Sequence, residues 1–112
     1  MTNDDNTDLS TTIQTLLSKK KFSKEEWEER FVNPSSQNVI DKMRAVTNEF
    51  LIELDQANVL SIADKDQRTE TVVRLIDEIP WSDFDTAERD FIFEEISPVL
   101  MNLEIDLFRL LY

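Results

Sequence analysis

Not one of the 112 residues is glycine, where average usage would place about 7%. Glycine supplies backbone at positive φ and lets other groups approach the chain closely. Phosphate-cradling loops and nucleophile elbows are built on it. Tight two-residue hairpins lean on it as well. A chain without glycine is therefore steered away from P-loop, dinucleotide-binding and hydrolase folds, and away from sheet. Helices joined by short turns are the architecture left open.

Cysteine and histidine are also absent. Disulfides, thiolate catalysis and cysteine-type zinc sites drop out. So does the side chain used most often as a base at neutral pH. No serine has a histidine to activate it, and no Ser-Lys dyad has a recognisable spacing. The residues imply no cofactor, no metal and no catalytic group, and the chain is expected not to be an enzyme. Apolar residues make up 40% of the chain, enough for a folded core. The opening MTNDDNTD lacks the cationic and apolar regions of a secretory leader. No apolar run is long enough to span a bilayer. The expected compartment is the cytoplasm.

Periodicity reads as an all-α, single-domain bundle of five or six helices with short connections, over residues 8–112. Residues 1–7 read as a disordered acidic tail. Asp8 is expected to cap a first helix with Leu9, Ile13, Leu16 and Leu17 inward. Lys19, Lys20 and Lys21 then suit the negative end of its dipole. In FSKEEW, Ser23 and Glu26 form a capping box, and Phe22 and Trp27 hold the positions of a hydrophobic staple. This short helix is expected to run from Lys24 to about Val32, with Trp27 and Phe31 on one face. Lys24–Glu28 and Glu26–Arg30 are spaced as helical ion pairs. A longer helix is expected from about Ser36 to Ala57, with Val39, Met43, Val46, Phe50 and Leu54 along its stripe. Another runs from Asp66 to Ile79 and stops at Pro80, with Glu70, Arg74 and Glu78 outward. Asp85 and Glu88 have a second capping-box spacing, ahead of a helix to about Ile96. Ser97-Pro98 is expected to kink that helix or to start a new one. The segment 98–112 is apolar around most of its circumference, which suits a central helix or the seam of a homodimer.

Net charge is −12, and residues 57–112 hold 13 acids against 5 bases. Such a chain repels nucleic acid and anionic membranes and attracts basic surfaces. The charge peaks in EIPWSDFDTAERDFIFEEI, residues 78–96, where seven carboxylates and four aromatics accompany one arginine. A calcium loop from Asp83 and Asp85 to Glu94 fails, because Glu88 stands where the loop needs glycine and Ala87 offers no side-chain oxygen. A magnesium site on Glu25, Glu26 and Glu29 lacks its matching carboxylate pair near Glu49. Two readings remain, a solvated helix face and a protein-binding face. Asp83, Asp85, Glu88, Asp90, Glu94 and Glu95 would steer a basic partner, and Trp81, Phe84 and Phe93 would anchor it.

FSKEEWEERFVNPS, DFDTAERDFI and the terminal LFRLLY resemble a family of small uncharacterised bacterial helical proteins, over roughly residues 12–112. That family ends in a glycine after the final tyrosine, which this chain lacks. More broadly, the chain is similar to acidic bacterial immunity proteins. That resemblance implies a cytoplasmic inhibitor of a basic toxin. Phage inhibitors of nucleic-acid enzymes share the same profile.

Overall fold

The computed structural model describes residues 4–103. Among them the fold is all-α. Five helices, α1 (Asp4–Ser18), α2 (Lys24–Glu29), α3 (Gln37–Ala57), α4 (Lys65–Asp77) and α5 (Thr86–Asn102), are joined by short links. Two of the links hold single 3₁₀ turns, Val59–Ser61 and Trp81–Asp83. No strand occurs among the described residues.

Local chemistry sets most of the boundaries. Ser23 caps α2 and Glu26 returns the bond to the Ser23 N–H at 3.2 Å, completing the expected box. Asp85 and Glu88 do the same for α5, at 2.8 Å in both directions. Ser36 caps α3 and Asp64 caps α4. α1 begins at Asp4, so Asp8 lies within the helix rather than ahead of it. At the other end of α1, the Lys21 ammonium donates to the Lys19 carbonyl at 3.1 Å and reaches the Leu17 carbonyl at 3.5 Å. Lys21 is only 2% exposed, and burial pulls its pKa down. The expected cation at the helix end is therefore present, as a cap folded inside the molecule.

Pro98 neither breaks nor restarts the last helix, because α5 runs through it. Proline removes the N–H that would bond the Glu94 carbonyl. Helix is retained because Ile96, Val99 and Leu100 are fully buried on either side of it. Pro98 itself faces solvent, and Ser97 Oγ donates to the Phe93 carbonyl at 2.8 Å.

The core has two parts. One gathers Leu9, Ile13 and Leu16 of α1, Phe50 and Leu54 of α3, Val72 and Leu75 of α4, and Ile96 and Leu100 of α5. The other gathers Phe22 and Trp27 at α2, Ile40 and Met43 of α3, and Phe84, Phe91 and Ile92 around the start of α5. Trp81 and Val46 pack against both. The staple residues converge on one ring. Phe22 and Trp27 each meet Phe91 edge to face, at 4.8 and 4.9 Å. Such pairs contribute roughly 0.5–1.5 kcal/mol each beyond area burial.

The missing glycine has a visible consequence. Phe22, Phe31 and Asn58 all adopt positive φ, a conformation that costs roughly 1–2 kcal/mol for most side chains. Asn58 tolerates it after α3, and the buried Phe22 ring gains the contact with Phe91. Phe31 has no such return. It follows the C-cap Arg30 of α2, and the helix closes as a Schellman motif, Phe31 N–H to the Glu28 carbonyl at 3.0 Å and Val32 N–H to the Trp27 carbonyl at 3.3 Å. Glycine usually holds this position. α2 is therefore shorter than the sequence suggests, and Phe31 is 97% exposed rather than on the Trp27 face. Phe31→Gly is expected to raise stability by about 0.5–1 kcal/mol, read from urea midpoints. A fall in stability would mean that the Phe31 ring packs on something it is not seen to touch.

Candidate functional site

The corner between α4 and α5 is folded by backbone-directed bonds. The Trp81 indole N–H donates to the Ile76 carbonyl at 2.9 Å, which ties the 3₁₀ turn back onto α4. Arg89 Nε donates to the Trp81 carbonyl at 2.9 Å, which ties α5 to the same turn. Between the two helices lies an open groove of about 440 Å³. Ile76, Trp81 and Phe93 give it an apolar lining, and Asp77, Arg89, Asp90 and Glu94 supply its charges. Trp81 and Phe93 are half-buried, and the four charged residues are exposed.

The nine residues expected to form a partner face separate into three groups. Trp81, Asp90, Phe93 and Glu94 come together in this groove. Asp83 and Asp85 are exposed but engaged elsewhere. Asp83 pairs with Lys42 of α3 at 2.7 Å, and Asp85 caps α5. Phe84, Glu88 and Glu95 do not belong to a surface. Phe84 is 3% exposed and packs in the second core cluster, with the Lys42 ammonium 5.9 Å from its ring centre. Glu88 is 7% exposed, spent on the Asp85 capping box and on the Ser35 hydroxyl. Glu95 is 8% exposed and grips the Lys19 ammonium with both oxygens, at 2.9 and 3.0 Å. A buried carboxylate needs such partners, and both buried glutamates have them.

The ion pairs also differ from the helical spacing. Lys19 bridges Glu95 and Glu26, the latter at 3.1 Å, so Glu26 is taken from Arg30. Arg30 instead pairs with Glu94 and lies 4.5 Å from the centre of the Phe91 ring. Burial works against charge on Lys19. Its hydrogen bonds to Glu95 and Glu26 outweigh that and hold its pKa above the ordinary value. Burial likewise opposes charge on Glu26, but Lys19 and the Ser23 N–H hold its pKa below the usual range.

Three groove residues were not expected from sequence, Ile76, Asp77 and Arg89. Ile76 and Asp77 sit at the end of α4, which the Trp81 bond to the Ile76 carbonyl ties to the groove, and Arg89 joins through its bond to the Trp81 carbonyl. Asp77 and Asp90 take no ion pair or side-chain hydrogen bond among the described residues. No set of three or more potential metal ligands is grouped for an ion among the described residues. No helix there is long and apolar enough to cross a membrane. In the described part of the suggested homodimer segment, Val99, Leu100 and Leu103 are core and Met101 is exposed. Residues 104–112 lie outside the described residues. Comparison with protein-family models, curated proteins and solved structures finds no match.

The Glu26 geometry fixes a sign. Its folded pKa is below the ordinary 4.5, so the unfolded chain takes up its proton first as pH falls. The stability it contributes is present above that value and is lost on acidification through and below it. The loss of stability between about pH 6 and about pH 3 is expected to be shallower in Glu26→Gln than in the wild type, measured by urea unfolding. Equal slopes would show that the Lys19 and Ser23 contacts do not favour the ionised form.

Proposed function

We propose that this chain is a protein-binding module that neutralises a basic partner by surface complementarity, as an inhibitor or immunity protein does. One observation carries the reading. The α4–α5 groove sets an immobilised tryptophan beside Asp77 and Asp90, two carboxylates that the fold leaves unused. Aromatic rings ringed by charge are the usual chemistry of binding hot spots. Opposed charge speeds encounter and fixes orientation, while desolvated rings slow dissociation. The net charge of −12 adds long-range attraction for a cationic surface. Catalysis forms no part of this reading.

The face is smaller than the acidic cluster of the sequence. Reversing Glu88 or Glu95 would put an unpaired cation at a buried position and destabilise the fold rather than test the face. Asp77 and Asp90 are the informative pair, because both are exposed and unpaired. Asp77→Lys/Asp90→Lys is expected to keep its thermal midpoint close to the wild type. In affinity capture from the native cell, the wild type is expected to retain a basic protein at low salt and release it at high salt. The double variant is expected not to retain it. Retention of the same protein by both baits would place the binding surface elsewhere.

A further inference from the structure

The groove also indicates what kind of group it receives. This inference rests on the reading of the groove as a partner-binding surface. Its three acids face one base, Arg89, whose Nε donates to the Trp81 carbonyl at 2.9 Å and which makes no ion pair among the described residues. Glu94 is held by Arg30. The free capacity is therefore two carboxylates, Asp77 and Asp90, beside one fixed indole ring. The bond from its N–H to the Ile76 carbonyl means that the ring need not be ordered on binding, which lowers the cost of association.

The molecule contains an example of the matching chemistry next door. Arg30 lies over the Phe91 ring at 4.5 Å while its guanidinium pairs with Glu94. An arginine is thus satisfied by an aromatic face and a carboxylate on this same helix, and Glu94 also lines the groove. The groove repeats those elements, having Trp81 for the ring and Asp77 and Asp90 for the carboxylates, and its own cation, Arg89, is tied through Nε to the Trp81 carbonyl and pairs with neither carboxylate among the described residues.

We propose that the α4–α5 groove receives an arginine side chain of the partner, with its guanidinium against Trp81 and its N–H groups on Asp77 and Asp90. A guanidinium suits this setting better than an ammonium. It is planar, it stacks on aromatic faces, and it offers a fork of donors that two carboxylates can share. Tryptophan is the strongest of the rings that attract cations. A groove of about 440 Å³ also leaves room for the backbone that carries the side chain.

The test is a titration of ¹⁵N-labelled protein with two capped tripeptides, acetyl-Ala-Arg-Ala-amide and acetyl-Ala-Lys-Ala-amide, followed by NMR. The expected result is movement of the Trp81 indole N–H and the amides of Asp77 and Phe93 with the arginine peptide. The Trp27 indole, which is buried and bonded to the Phe22 carbonyl, serves as the fixed reference. The lysine peptide is expected to bind at least about threefold more weakly. Asp77→Asn/Asp90→Asn is expected to weaken the arginine peptide by about fivefold. Equal binding of both peptides would overturn the assignment to arginine while leaving a basic partner intact. Movement of the same signals on raising the protein concentration alone would give the groove to a second copy of the chain. No movement at the groove with either peptide would overturn the proposal outright, whereas the capture experiment decides separately whether a basic partner exists.

Discussion

The edge-to-face contacts of Phe22 and Trp27 with Phe91 fix the α2 corner to α5, and the site is built outward from them. One residue before Phe91, Asp90 points into the groove. Arg30, three residues beyond Trp27, lies over the Phe91 ring and reaches Glu94. One residue further along α5, Glu95 turns inward and takes Lys19 from the end of α1. Lys19 returns to Glu26, which closes the capping box of α2. Rings and charges form one connected arrangement, so α5 is held in rotation as well as in position. That rotation decides which carboxylates face water.

Much of this was legible where the physics is local. Ser23 with Glu26 and Asp85 with Glu88 are sequence-near partners, and both boxes form as their spacing suggests. The all-α architecture followed from a chain without glycine whose apolar residues recur at helical spacing. The errors came where partners are distant. Glu88 and Glu95 were read as surface because they are acids in an acidic stretch. They are seven residues apart, in line with Ile92 and Val99 on the core-facing stripe, which was the available warning. Their partners, Ser35 and Lys19, lie 53 and 76 residues away in sequence, and no local pattern names them. Helical spacing likewise suggested Glu26 with Arg30, but a cation from another element outcompeted it. Asp77 was missed because its place in the groove depends on a tryptophan folding back four residues later.

Phe31 and Phe22 show how a chain without glycine closes its helices. Both adopt the strained turn conformation, and the buried Phe22 ring recovers the cost through Phe91. Phe31 recovers nothing inside the molecule. Charge follows a similar division. Lys19, Arg30 and Lys42 pair with Glu26, Glu95, Glu94 and Asp83, while Asp77 and Asp90 take no ion pair among the described residues and lie beside the half-buried Trp81 ring. The fold thus sets two unpaired carboxylates, one from the end of α4 and one from α5, beside a single tryptophan.

That concentration of negative potential on a tryptophan can be measured directly by fluorescence quenching with caesium and with iodide. Trp27 is 1% exposed and beyond the reach of either ion, so the response belongs to Trp81. At low ionic strength, caesium is expected to quench more efficiently than iodide, and the difference is expected to shrink as salt screens the groove. Quenching by iodide equal to or stronger than that by caesium would contradict an acidic groove around Trp81, and with it the account of how this protein meets a basic partner.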